Sequence, residues 1–513
     1  MPNMSYALQY KTYGGTNDKW NNMAYYVNVG YNFMNKYFLN GTMSMEASSR
    51  FGKKADSGIK LCGVTWGLFP SLQGAWLVSS EKWFNVKGID YLKLTGGYEV
   101  SGNDNIDYYA TRTYFTNTQF LDRATALVLE NIQNPKLQWE TTKRYNIGLQ
   151  ASALNNRLNF AIEYFHSKTD NLLTRKAVSD ITGLASMWSN DGSLKNNGVD
   201  FNVNAMIVQH KDWRWQAGFS IGHYKNEITS LPSSSLNTIK TYALDGNGVK
   251  IADSENRING YTSSIYGSNN ILTTVGQAAG VFYGYKTKGV FASDAEAQTA
   301  GKYGYLRYPT GIAEQPYRNF KAGDVHFVDQ NGDGWINEAD MVVIGDPNPD
   351  IYGNIYTSLS WKGLKLDVNF KYSLGNDVYN YQRSQLESLN TNWNQTTAAV
   401  NRWRYEGQVT DMPRVMSTSS EQWVNNERFS DRWIEDGSYL KLKNIRLTYK
   451  IPVNLSWLLG LSVWGECNNV FTVSKYTGVD PEFSAGNGVL YQGIDAGYLP
   501  QNRNFSLGVT INL

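Results

Sequence analysis

Cysteine is almost missing from this chain. The 513 residues include 2, Cys62 and Cys467, too few and too far apart for a disulfide framework, and no CxxC pair offers a zinc site. Histidine is nearly as scarce. His166, His210, His223 and His326 are scattered and show no HExxH-type spacing. There is no GxSxG elbow, P-loop or strand-linked GxGxxG, so nothing points to hydrolytic, phosphoryl-transfer or dinucleotide chemistry. Acid pairs such as Asp431 and Glu435 occur, as they do in the loops of any chain this size, and no catalytic residue is assigned. A charge imbalance is missing as well. The net charge of +2 implies neither nucleic acid nor an acidic membrane surface as partner. The opening stretch MPNMSYALQYKTYGG has no basic n-region and no apolar h-region, so it does not read as a signal peptide. No run of about 18 apolar residues is present to form a transmembrane helix.

What the chain has in quantity is 35 Tyr, 16 Trp and 47 Gly against only 12 Pro. That mixture favours strands and turns, with aromatic rings at an interface. The length allows about three domains or one large all-β body. A mean hydropathy of -0.45 is what a soluble chain gives. A transmembrane β-barrel gives the same value, because every second residue faces a polar lumen. Alternation separates the two. In KLDVNFKYS, Leu366, Val368, Phe370 and Tyr372 share one face while Lys365, Asp367, Asn369 and Lys371 share the other. The upstream partner carries Ile355, Thr357, Leu359 and Trp361 in frame, joined by the turn Lys362-Gly363. The same design recurs around the turns at Asn35-Lys36, Asn155-Asn156 and Lys211-Asp212. About fourteen such segments, many of about 10 residues, joined by short turns on one side and long loops on the other, predict a transmembrane antiparallel β-barrel wall. An exposed sheet of a soluble β protein is the alternative. The end of the chain, Phe505, Leu507, Val509, Ile511 and Leu513, alternates to the last residue, as the closing strands of outer-membrane barrels do, although a terminal Phe is commoner than Leu513.

Three regions do not alternate. Residues 230–270 are rich in Ser, Asn and Gly, and 275–350 is long, so 230–350 is expected to form a large extracellular loop region. Residues 382–436 are expected to form a second extracellular loop, with a short helix or two within 382–415. Trp188, Trp393 and Trp403 stand in loops where an indole can stack on a sugar ring or simply pack within the loop or a membrane-interface belt. Within the larger region lies DQNGDGWINEAD. Asp329, Asn331 and Asp333 occupy positions 1, 3 and 5 of a calcium loop, Gly334 position 6, Trp335 position 7 through its carbonyl, Asn337 position 9 and Asp340 position 12. A hard cation takes six to eight oxygens at roughly 2.3–2.6 Å, and this order supplies them. Position 12 is usually a bidentate Glu, and the shorter Asp340 resembles the closure of dockerin-type loops. The competing reading is an Asx-rich surface turn without metal.

The run from Gly323 to Asn380, GDVHFVDQNGDGWINEADMVVIGDPNPDIYGNIYTSLSWKGLKLDVNFKYSLGNDVYN, resembles SusC/RagA-type TonB-linked (TonB-dependent) outer-membrane transporters of Bacteroidetes bacteria. LFPSLQGAW (Leu68–Trp76), NPKLQWETTKRYNIGL (Asn134–Leu149), NNGVDFNV (Asn196–Val203), VGQAAGVFYGYKTKGVF (Val275–Phe291), NRWRYEG (Asn401–Gly407), YLKLKNIRLTYKIP (Tyr439–Pro452) and KYTGVDPEF (Lys475–Phe483) follow in the family's order and span nearly the whole chain. The resemblance implies a barrel of about 22 strands filled by a plug and lidded by a SusD-like surface lipoprotein. Such a complex takes up oligosaccharides or peptides under the drive of TonB. It also implies that this chain is the C-terminal portion of the barrel. The plug and N-terminal barrel part, with the TonB contact, would come from elsewhere on the same gene or from a separate chain. An open sheet edge is costly in lipid, since each unpaired N–H or C=O costs several kcal/mol there. The sheet is therefore expected to pair with a missing part or to close as a smaller barrel, and a fragment or one chain of a split transporter is the favoured reading.

Overall fold

The computed structural model describes residues 18–512 apart from 57, 121–123, 185, 233–237, 248, 253, 268–269 and 454–456. Leu513 lies outside the described residues. Thirteen strands follow one another in a single antiparallel sheet: β1 Asn22–Phe33, β2 Tyr37–Ser48, β3 Val64–Leu77, β4 Ile89–Asn103, β5 Glu140–Ala153, β6 Leu158–Asp170, β7 Ser193–Gln209, β8 Trp213–Ser230, β9 Ile351–Trp361, β10 Leu364–Leu374, β11 Tyr439–Ile451, β12 Gly460–Ser474 and β13 Asn504–Asn512. Ile59–Leu61 pairs beside β3 and brings the sheet to 14 strands. Every neighbour along this path is the next wall strand in sequence.

Turn chemistry sets the registers. At Lys362-Gly363 the chain reverses with Lys362 at φ 53, which seats Trp361 opposite Leu364 and carries the pairing to Ile351 opposite Leu374. The turn after β5 places Leu154, Asn155 and Asn156 at φ near 60, aligning Ala153 with Leu158. Side chains have a period of two, so a one-residue slip would turn every apolar residue into the lumen. Short connections gather at one end of the sheet. The opposite end carries 49–63, 104–139, 171–192, 231–350, 375–438 and 475–503.

The apolar face of this wall is bare. Tyr25, Val27, Val29 and Tyr31 on β1, Tyr145 and Ile147 on β5, Ile355 on β9, Leu447 on β11 and Phe505, Leu507, Val509 and Ile511 on β13 are all exposed. A soluble sheet would cover such a face. A continuous uncovered one is what lipid covers. Trp213 stacks on Trp361 at 5.6 Å, and Trp76 meets Trp83 at 6.2 Å, both at the short-turn end. That is where an interfacial aromatic girdle belongs. Among the described residues no helix is long and apolar enough to cross a membrane, and strands do that work here. Among the described residues the edge strands β1 and β13 each have one neighbour and do not pair with each other.

The apolar core sits in the loops. Phe291, Leu306, Phe320, Val325, Phe327, Ile336 and Val424 form one cluster and Ile271, Phe282, Tyr379, Phe429, Trp433 and Ile494 another. Each such side chain contributes roughly 1.5–3 kcal/mol on burial. The 231–350 segment builds a five-stranded sheet that includes Ile271–Thr274, Val281–Gly284 and Val342–Gly345, while Asp377–Asn380 pairs with Ile434–Asp436 and Ile494–Asp495. The helix Tyr381–Leu386 starts at Asn380, whose side chain accepts from the Arg383 N–H.

Candidate functional site

The 329–340 loop folds around its own amides. Asp329 Oδ1 accepts from the N–H groups of Gly332 (2.7 Å) and Asp333 (3.2 Å), and Oδ2 from Gly334 (2.8 Å). Asn331 Oδ1 accepts from Asp333, and Asp333 Oδ1 from Trp335 at 2.8 Å. Asp333 Oδ2 takes the Leu244 N–H at 2.8 Å, tying the loop to a distant segment. Gly334 makes the sharp turn at φ 86, a conformation that favours glycine. Asp340, fully buried, closes the loop by accepting from Gln330 and Asn337, each at 2.9 Å, while Asn337 accepts from Ala339. Burial pushes the Asp340 carboxyl up to about 7, the Asp329 and Asp333 charges adding to that against the two amides that lower it. Trp335 is fully buried and its indole N–H reaches the Asp245 carbonyl at 2.6 Å. The structure thus gathers Asp329, Asn331, Asp333, Asn337 and Asp340 about one short loop. Among the described residues, however, no three Asp, Glu, His or Cys side chains stand together as a metal-holding group.

A charged cluster sits where the loops meet the wall. Lys371 on β10 lies opposite Lys441 on β11. From the 475–503 loop, Glu482 binds Lys371 and, at 2.6 Å, Lys441, while Asp480 lies 3.4 Å from Lys441. Burial would raise the Glu482 carboxyl, yet the two lysines hold it down to about 2. Lys441 is only 2 % exposed, so the loop is pinned to the lumen side by a buried ion cluster. Sequence reasoning passed over these residues. Their signal was weak: two lysines on the polar face of neighbouring strands, and two acids in the GVDPEF stretch.

Asp431 accepts from the Thr287 hydroxyl at 2.7 Å, and Glu435 pairs with Arg383 at 2.9 Å and with Thr477. Both acids of that pair therefore hold loops together. Trp188 donates to Asp107 at 2.9 Å under the Arg175 guanidinium, and Trp403 donates to the Ala292 carbonyl at 3.2 Å. These two rings have packing roles. Trp393 is exposed and borders a cavity of about 380 Å³ with Trp423 and Trp433, which leaves it as the indole available for stacking.

Compared with known proteins, residues 2–310 match the family described as "TonB dependent receptor-like, beta-barrel". The chain is 28% identical over 495 residues to TonB-dependent receptor P3 of Formosa agariphila, covering 94% of this chain and 44% of that protein. It is 27% identical over 517 residues to TonB-dependent receptor SusC of Bacteroides thetaiotaomicron, covering 95% and 43%. The solved structure of the RagAB peptide transporter superposes with a TM-score of 0.71 at 23% identity, covering 96% of this chain and 48% of that one, which supports the fold. The chain spans less than half the length of the relatives it matches.

Proposed function

This chain belongs to the TonB dependent receptor-like β-barrel family, and on that premise we propose that it forms the lumen wall and extracellular loops of a SusC-like importer that takes up oligomeric nutrients, glycans or peptides. Barrels of this family lie in the outer membrane, and so does this one. The observation that carries the proposal is the thirteen-strand wall, apolar outside and polar inside, with every long loop at one end. In this reading β1 and β13 pair with further strands of a complete barrel, because unpaired edge groups in lipid cost several kcal/mol each. A plug carries the TonB contact, and a SusD-like lipoprotein seats on the long loops. The test is membrane fractionation with heat-modifiable migration in detergent, followed by uptake of labelled oligosaccharide and peptide with and without the lipoprotein. Recovery as a stable monomer free of detergent overturns it and favours the soluble carbohydrate-binding alternative, which the uncovered apolar face already disfavours.

The 329–340 loop is proposed to hold calcium through the side chains of Asp329, Asn331, Asp333, Asn337 and Asp340 and the Trp335 carbonyl, supported by the order of oxygen-bearing residues and the turn at Gly334. The ion would brace the loop against the 242–250 segment. Its flanks are the strands Val325–Phe327 and Val342–Gly345 rather than the helix pair a calcium sensor opens, so the role is structural.

A further inference from the structure

A cavity of about 530 Å³ lies between the two long extracellular segments, with Tyr242, Lys250, Tyr308, Asn337, Arg428 and Phe429 among the residues that line it. Its size is that of a small-ligand site, roughly 300–1,000 Å³. Arg428 forms part of the wall and is 6 % exposed. Its Nη1 donates to the carbonyls of Val424 (2.8 Å) and Asn425 (2.9 Å), and its guanidinium lies 4.2 Å from the Tyr308 ring centre. Nη2 has no hydrogen-bond partner, and Arg428 makes no ion pair among the described residues. Asp324 and Glu427 both act on it electrostatically without an ion pair, and Asp324 is already held by Arg414 at 2.8 Å. A buried cation with no acid in contact is costly, and an aromatic box offsets only part of that cost.

The rest of the wall leans the same way. Lys250 places its ammonium 4.0 Å from the Tyr242 ring centre. Asn337, also in the lining, has a buried amide Nδ2 without an acceptor. Among the described lining residues the one carboxylate is Glu338, which is exposed. Two cations against one rim acid, with Tyr242 and Phe429 as apolar walls, suit an anion carried on a ring or a short chain.

We propose that this cavity binds a small carboxylate-bearing ligand, the carboxylate drawn to Arg428 and Lys250 and the body of the ligand lying against Tyr242 and Phe429. A uronic-acid saccharide and a peptide C-terminus carry the same group. The proposal goes beyond the transport reading, since binding here needs neither TonB nor a lipoprotein, and a chain inactive in uptake would still show it.

The test is calorimetric titration of the detergent-solubilised protein with glucuronate, glucose, trialanine and C-terminally amidated trialanine. Binding of glucuronate, of trialanine, or of both is expected, with glucose and the amide failing. The tighter of the two acids names the source. Arg428→Gln should abolish binding. Because that buried position can disturb the fold, Lys250→Glu at the exposed rim is the second variant. It should weaken the acid by about tenfold with the melting temperature unchanged. The proposal is overturned if glucose binds as well as glucuronate and the amide as well as the acid, if Lys250→Glu leaves the affinity unaltered, or if no probe binds at millimolar concentration.

Discussion

Replacing Lys441 by Met should release the 475–503 loop from the wall. Lys441 is 2 % exposed and shares Asp480 and Glu482 with Lys371. Two lysines face two carboxylates, so the cluster is neutral as it stands. Removing Lys441 leaves a net negative charge in a site with little water. Breaking a buried pair in this way costs about 3–5 kcal/mol. Lys371, which is 41 % exposed, still holds Glu482, so about 3 kcal/mol is the better figure. The depressed Glu482 carboxyl points to the same order of magnitude. A fall from its ordinary 4.5 to about 2 corresponds to about 3 kcal/mol of stabilisation. The sign follows from the direction. A carboxyl depressed in the folded state contributes its stability above about 4.5 and loses it as pH falls through about 2. Limited proteolysis of the loop in detergent across that range reads this directly. The wild-type loop should stay protected to near pH 3, while Lys441→Met should open at neutral pH. Adding Glu482→Gln to Lys441→Met should restore part of the protection by removing the excess negative charge and leaving Lys371 to balance Asp480. If Lys441→Met leaves both protease protection and its pH dependence unchanged, the ion cluster does not hold the loop and the reasoning fails.

Other outcomes follow from the same structure. Calcium titrated into the protein should release or absorb heat that Asp333→Ala loses, and silence at millimolar calcium would leave the loop as an Asx turn. Gly353 sits where an added Cβ would meet the Ser220 carbonyl oxygen at 1.9 Å and the Tyr372 hydroxyl at 2.7 Å. Gly353→Val should therefore cost about 1–3 kcal/mol or more in urea melts of the folded barrel, and a neutral result would refute the close β8–β9 approach. Val368→Lys on the outer face of β10 should destabilise by about 2–4 kcal/mol in bilayers, with Asn369→Lys on the inner face far milder. Equal costs at the two positions would contradict the assigned faces.

The wall was legible because its rule is local. In KLDVNFKYS a period of two marks both the strand and its apolar face, and Lys362-Gly363 fixes the hairpin without any distant contact. The strands that were read one by one then form the sheet in chain order. The interior of the loops was not legible, because its contacts are long-range. Nothing near Glu482 announces that it will lie between lysines on β10 and β11, and nothing near Arg428 announces that Tyr308 and Phe327 will close over it. The calcium-like loop stands between these cases. Its oxygens were readable from spacing, yet the Leu244 amide that reaches Asp333 comes from a segment that no local pattern connects to it. Trp188 and Trp403 show the same limit, since their partners Asp107 and Ala292 lie far off in sequence.

The central claim is that one face of the wall meets lipid and the other meets water. Single cysteines at 365–372 on β10, in a background with Cys62 and Cys467 replaced, can be spin-labelled in bilayers and read for collision with oxygen against a water-soluble relaxant. The account predicts oxygen-dominated signals at Leu366, Val368, Phe370 and Tyr372 and water-dominated signals at Lys365, Asp367, Asn369 and Lys371. Uniform access to the water-soluble relaxant along the strand, without a period of two, would contradict it.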